Sequence, residues 1–340
     1  MININNIKYG DFLEQNLYRH DGLLALPKGT SIREIEALCI KEMQVNYVYI
    51  APYYEREYTD EETLEIIEDV IYTCSFWSLP AAKKIYSGIQ KKLEEKKHRK
   101  ILSVLSLMRE VDHYSFVSSL NTAMVVAQLL MVDYKVDKPL IDLIFFTLIH
   151  DIGKVKVAKI TQKQGELSDS EFKKVQEHPR YSAELLETCG FSKNDISFVM
   201  QTHERYDGTG YPFHLKAYEI QPFAQVIAVA EMYNALSSFR PHRPPFHPIE
   251  ISMKIEEEKN KAFGTEYAQL FVEKFNPYQE GARVELSNGL SGEIVEINPQ
   301  IPLFPKIGVY NEDTGEIYAQ ISLYRYKDVR ITKVIPKERI

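Results

Sequence analysis

Apolar positions recur every three to four residues through the middle of the chain, and that period predicts one helix after another between residues 100 and 276. The segments are "ILSVLSLMREV", "SSLNTAMVVAQLLMV", "LIDLIFFTLIHDIGK", "SDSEFKKVQEHPRYSAELLETC", "DISFVMQTHERY", "FAQVIAVAEMYNALSS" and "FGTEYAQLFVEKF". Loops carrying Gly, Pro, Asn or Asp separate them. From Thr59 to Arg99 the pattern is also helical but strongly charged, opening with acids in "TDEETLEIIEDV", where a helix N-terminus favours them, and closing on "KKLEEKKHRK". The first 58 residues mix short apolar alternations, the turn-rich "HDGLLALPKGT", an amphipathic "SIREIEALCIKEMQ" and a β-rich "VNYVYIAPYY". Ser31 and Glu34 have the spacing of a helix-start capping box. Beyond Ala282 the period drops to two, in "RVEL", "GEIVEI", "KIGVY", "YAQISLY" and "VRITKVI", with "SNGLSG" and "NEDTG" as turns.

The expected fold is therefore mainly α. A small α+β N-terminal module (1–58) leads through a helical connecting arm (59–99) to a helical domain (100–280), and a small barrel-like β domain (281–340) follows. At 340 residues the chain is long enough for this division. Its net charge of -7 gives no general attraction to nucleic acid or anionic membrane, so DNA is not an expected partner and any phosphate recognition must be local. The longest apolar run, residues 140 to 149, contains Asp142 and is too short to span a bilayer. Cys39, Cys74 and Cys189 are odd in number and widely spaced, which fits buried thiols in a cytoplasmic protein better than a disulfide framework.

Candidate chemistry collects at helix ends. The most apolar helix closes on "HDIGK", placing His150, Asp151 and Lys154 where burial demands a compensating partner, and a divalent metal is one such partner. His178 in "EHPRY", His203 in "THERYDGTGYP" and Glu231 in "VAEMYNAL" are expected at the ends of three further helices, and imidazole with carboxylate from separate helices is how bundle-core metal sites are assembled. Such a mixed N/O set suits Fe, Mn or Zn. The glycine loop carries more charge than a purely structural turn requires, which favours a role in chemistry.

The ordered motifs "HDIGK", "QKQGELS", "EHP", "HERYDGTGYP" and "AEMYNALSSFRPHR" make residues 100 to 276 resemble the HD-GYP family of HD-domain phosphohydrolases. The resemblance implies a helical bundle that holds iron or manganese and hydrolyses cyclic di-GMP to a linear dinucleotide or GMP. By position, His150, Asp151, His178 and His203 match family metal ligands, with Asp151 as the bridging carboxylate. Lys154 matches the lysine at the scissile phosphate and joins Asp151 as a catalytic candidate. Tyr211, Pro212, Asn234, Arg240 and Arg243 match the substrate-contacting side, where guanidinium groups suit phosphate oxygens.

Two departures bear on activity. Ser118 stands where the family has a metal-binding histidine, and Thr202 replaces the first histidine of the glycine loop. Glu231 replaces an aspartate and can still coordinate. Tyr114 stands at the position of a glutamate that supports a third ion. Five helical residues rotate His113 by about 140° from position 118, so it faces away from the lost ligand's place unless the helix slips or unwinds. The expectation is a degenerate member of cyclic di-GMP signalling that binds the nucleotide, or a related cyclic dinucleotide, with weak or no hydrolysis. It would hold one or two Fe or Mn ions weakly, or none. The alternative is an active metal-dependent phosphodiesterase. Protein partners through the flanking domains, and a homodimer, are compatible with either.

Overall fold

A computed structural model describes residues 2–19, 21–43, 47–51, 59–74, 77–95, 98–131, 139–163, 165–239, 243–278, 280–311, 314–326 and 328–335. The expected boundary at residue 58, and Arg240, lie outside these described residues.

In the N-terminal region, β1 (Ile2–Asn3), β2 (Phe12–Leu13), β3 (Leu17–Tyr18) and β4 (Leu24–Leu26) precede α1 (Glu34–Glu42), β5 (Tyr47–Val48) and β6 (Ile50–Ala51). Antiparallel pairing joins β1 to β5, β2 to β6 and β3 to β4. The helix start differs from the Ser31–Glu34 box that the sequence spacing predicts. Ile32 is buried and its N–H donates to Asp11 O at 2.8 Å, so residues 31 and 32 stay extended beside Phe12. The helix begins at Glu34 instead, and the Glu36 carboxylate accepts from the Arg33 N–H at 3.0 Å.

The helical part comprises α2 (Asp60–Thr73), α3 (Leu79–Glu94), α4 (Arg99–Val111), α5 (His113–Leu130), α6 (Leu140–Ile149), α7 (Ala158–Thr161), α8 (Asp169–Val175), α9 (His178–Thr188), α10 (Lys193–Val199), α11 (Pro222–Ser237), α12 (Pro248–Glu257) and α13 (Thr265–Lys274). Its start signals act as their chemistry predicts. Thr59 accepts from the Glu62 N–H, Ser168 and Glu171 form a capping box, and Asp112 caps α5 through the Ser115 N–H at 3.1 Å. Helices α5 and α6 are apolar on most faces and so occupy the centre, packed on each other, with α5 also against α11. No helix among the described residues is long and apolar enough to cross a membrane.

One continuous core joins Ile66, Ile67 and Val70 of α2 and Ile85 and Ile89 of α3 to Leu120, Phe145, Ile227 and Phe271 of the bundle. The same cluster takes in Leu23 and Leu24 at the N-terminal hairpin, which docks on α5. A smaller cluster around Leu13, Leu26 and Ile40 holds the N-terminal region together. At the other end β7 (Arg283–Leu286), β8 (Ser291–Glu296), β9 (Lys306–Tyr310), β10 (Ile317–Ser322) and β11 (Ile331–Ile335) form an antiparallel sheet in the order β10-β9-β8-β7-β11. Alternating burial along β7 and β8 turns Val284, Leu286 and Ile294 into its own core. The expected mainly α fold with a small β domain at the C-terminus is thus what the chain adopts.

Candidate metal centre

The apolar helix α6 ends at Ile149, and a 3-10 turn over Ile152–Lys156 follows at once. The change of pitch brings His150 and Asp151 to the inner end of the bundle, both buried. Gly153 makes the turn compatible with α9. A Cβ there would sit 2.2 Å from the His178 carbonyl oxygen and 2.4 Å from the Ser182 nitrogen, so only glycine lets the two backbones approach this closely. The Gly153 N–H donates to Ser182 Oγ at 2.9 Å and ties the contact.

That approach delivers His178, the first residue of α9, to Asp151. Its Nε2 lies 2.9 Å from Asp151 Oδ1 and 2.8 Å from His203 Nε2. His203 Nε2 is itself 3.2 Å from Asp151 Oδ1. Glu231, from the middle of α11, completes the ring: its Oε1 lies 3.0 Å from His150 Nε2 and its Oε2 3.5 Å from His203 Nδ1. Donor atoms of His150, Asp151, His203 and Glu231 all fall within 4.8 Å of one another. The Lys154 ammonium pairs with Asp151 Oδ2.

The histidines are oriented from behind. His150 Nδ1 donates to the Thr147 carbonyl at 2.6 Å and His178 Nδ1 to the Val175 carbonyl at 2.7 Å, and a carbonyl can only accept. Both rings therefore turn Nε2 toward Asp151, the arrangement by which metal-binding histidines are held. His203 is set instead by Tyr211, whose ring stacks on it with centroids 5.2 Å apart at 14°.

Charge balance follows the same geometry. Burial disfavours the ionised carboxyl of Asp151, but His150, Lys154 and His178 outweigh it and hold the group well below the usual range. Glu231 is also lowered, with burial opposed by His203 and His150. Burial opposes protonation of His150, yet Asp151 and Glu231 raise it to about 9. His178 goes the other way, to about 4, because burial dominates over the pull of Asp151. Two ionised carboxylates and imidazole nitrogens converging on one point fit a divalent ion, and such an ion would displace the proton that His150 otherwise carries.

Ser118 and Thr202, the positions where the resemblance leads one to expect histidines, have hydrogen-bond partners of their own. Ser118 Oγ accepts from Asn234 Nδ2 at 3.1 Å, and the buried Thr202 hydroxyl donates to the Val199 carbonyl at 3.1 Å. Asn234 lies one turn beyond Glu231 on α11, and its Oδ1 accepts from Arg19 Nη1 at 3.3 Å. Arg243 donates to the carbonyls of Ala235, Leu236 and Pro244 and lies over the Phe246 ring. Pro212 follows Tyr211 in the glycine loop, half-buried.

The charge density of that loop has a structural explanation that sequence reasoning did not supply. Buried Glu204 accepts from the Phe213 and Leu215 N–H groups at 2.6 and 3.0 Å, Arg205 pairs with Glu258 at 2.8 Å, and Asp207 accepts from Thr209. Gly210 lies against the backbone of Glu204 and Arg205, where a Cβ would meet the Arg205 nitrogen at 2.3 Å. These contacts fold the loop so that Tyr211 covers His203. Arg19 and Asp21 were also missed: Asp21 accepts from the Tyr233 hydroxyl at 2.9 Å and holds the Arg19 guanidinium against α11. No local pattern marks residues 215 positions apart as neighbours.

Comparison with known proteins points the same way. Residues 108–266 match the HD domain family. A cyclic di-GMP phosphodiesterase of Pseudomonas aeruginosa is 35% identical over 165 residues, 48% of this chain and 40% of that protein. A 3'3'-cGAMP-specific phosphodiesterase of Vibrio cholerae is 37% identical over 112 residues, 33% of this chain and 24% of its own length. A cyclic di-GMP phosphodiesterase of Borreliella burgdorferi is 25% identical over 201 residues, covering 57% of this chain and 52% of the relative. The chain thus spans about half or less of the length of these curated relatives.

Proposed function

Since residues 108–266 match the HD domain family, we propose that this chain is an HD-GYP member that binds cyclic di-GMP or a related cyclic dinucleotide at a one-metal centre, with weak or no hydrolysis. The observation that carries this reading is the single donor cluster among the described residues. His150, Asp151, His203 and Glu231 bring donor atoms within 4.8 Å of one another, His178 adjoins them through Asp151 and His203, and the hydroxyls at 118 and 202 are engaged elsewhere.

Within this proposal those five side chains hold one Fe or Mn ion, which when bound supplies Lewis-acid stabilisation of a phosphate oxygen and lowers the pKa of a water. Asp151 orients the imidazoles and neutralises the cation. Lys154, drawn to Asp151, offers its ammonium to a phosphate oxygen of the ligand. Tyr211 closes one wall and keeps water from His203. Phosphodiester hydrolysis is efficient where paired ions stabilise both the attacking and the leaving oxygen, and one donor cluster serves only one of them. Three free, buried cysteines support a cytoplasmic setting. Protein partners of the flanking regions and pairing into a homodimer remain part of the proposal.

The second reading, an active phosphodiesterase, is favoured by Lys154 and by the carbonyl-locked histidines. Metal analysis of the purified protein, with cyclic di-GMP binding and turnover in added Mn(II) or Fe(II), separates the two. The proposal expects up to one ion per chain, saturable nucleotide binding and little product. Stoichiometric paired metal with rapid formation of a linear dinucleotide, abolished by Asp151→Ala, would establish the enzyme instead. Ser118→His combined with Thr202→His is expected to raise both metal content and turnover.

A further inference from the structure

A cleft of about 310 Å³ lies between the N-terminal region and the corner where α4 meets α5. Lys28, Ser31 and Arg33 line it from one side, Arg109 and His113 from the other, and Gln162 closes it beyond α7. None of these belongs to the His–Asp cluster. A volume of this order lies at the small end of ligand sites, about 300–1,000 Å³.

The lining is chemically one-sided. Lys28, Arg33 and Arg109 line it with the one carboxylate of Glu110, while Glu36, Glu62 and Asp69 stand behind the cations, outside the lining. Two of the cations are held in place: Arg33 pairs with Glu36 at 3.0 Å, and Arg109 donates to the Lys28 carbonyl at 3.0 Å while facing Glu62 at 3.6 Å. The Lys28 ammonium makes no ion pair among the described residues. Buried His113 Nε2 has no hydrogen-bond partner there either, with Glu36 standing off at 3.7 Å. A lysine point charge, planar guanidinium groups, the Ser31 hydroxyl and the Gln162 amide offer donors from opposite walls. Several charge-assisted donors around one small volume are the chemistry that recognises phosphate oxygens.

We propose that this cleft is a second ligand site, separate from the metal centre, that takes a small phosphomonoester of up to mononucleotide size. The occupant bridges the N-terminal region and the α4–α5 corner. That corner is held by Asp112, which accepts from Ser115 Oγ, from Thr161 Oγ1 at 2.6 Å and from Gln162 Nε2 at 2.7 Å. The wall of the cleft and the helix that follows Lys154 therefore share one anchor.

The test uses the full chain in EDTA, titrated calorimetrically with GMP and separately with inorganic phosphate. Lys28→Gln is the principal variant because its exposed side chain makes no hydrogen bond or ion pair among the described residues and meets only the charge of Asp69, and Arg33→Gln and Lys154→Ala accompany it. The expected result is saturable binding of GMP, weakened about tenfold by Lys28→Gln as a charge-assisted contact is lost, and unaltered by Lys154→Ala. Binding of inorganic phosphate with the same sensitivity to Lys28→Gln also supports the site and shows that the phosphate group suffices. Absence of binding by both probes overturns the proposal. So does binding that ignores both cleft substitutions, or binding that only Lys154→Ala removes.

Discussion

A single methyl group decides whether the candidate metal centre can assemble. At Gly153 it would collide with the backbone of His178 and Ser182, so Gly153→Ala must push α9 and its leading histidine away from Asp151. The expected outcome is a stability loss of about 1–3 kcal/mol in urea unfolding, as for other overpacked sites, together with weaker metal binding by the folded protein. Unchanged metal affinity in this variant would show that His178 is not a ligand. Residue by residue, the candidate centre was legible where short motifs carry it: His150, Asp151, His178, His203 and Glu231 do converge. Arg243 was legible only as a basic residue in the right motif. Whether its guanidinium meets a ligand or the end of α11 depends on the path of the loop after Ser238, which no motif specifies.

At the scale of elements, α5 shows how one helix serves several neighbours. Its N-terminal turn places His113 against Glu36 and Arg33 of the N-terminal region, next to the capping carboxylate of Asp112. Burial pushes the imidazole down to about 4, and the opposing pull of Glu36 does not restore it. The unfolded chain, with an ordinary histidine pKa of about 6.5, therefore takes up this proton before the folded one. The contribution is complete above about pH 6.5 and is lost as the pH falls toward 4. Thermal melts between pH 7 and pH 5 should show the midpoint falling with pH, less steeply in His113→Gln. Equal slopes in the two proteins would remove His113 from the explanation. Helix and strand identities were legible from period and capping, whereas the start of α1 was not, because a tertiary strand-like contact with Phe12 overrode the local Ser31–Glu34 signal.

For the whole molecule, the N-terminal hairpin and the bundle share a core. Leu23 and Leu24 are buried with α5, and the Asn121 side chain both accepts from the Leu24 N–H at 3.0 Å and donates to its carbonyl at 2.8 Å. Asn121→Leu strands those two buried backbone groups and should cost about 1–3 kcal/mol. Calorimetry is expected to record one transition at a lower midpoint. A wild-type protein that melts in separate N-terminal and bundle transitions would contradict a shared core. Such docking also explains why the charged helices α2 and α3, which look like a solvated arm in the sequence, bury Ile66, Ile67, Ile85 and Ile89.

The amino-acid sequence by itself determined the helix and strand periods and the β region at the C-terminus, and it carried the short His-Asp and glycine-loop motifs from which candidate ligands were named. Each of these is local, carried by side-chain spacing within a turn or a short motif. Only the tertiary structure decided that one donor cluster forms, that Ser118 and Thr202 turn to other partners, and that Arg19 and Asp21 lie against α11. It also decided that a basic cleft opens beside α5. Periodicity states which face of an element is buried; which two faces meet depends on packing between residues hundreds of positions apart.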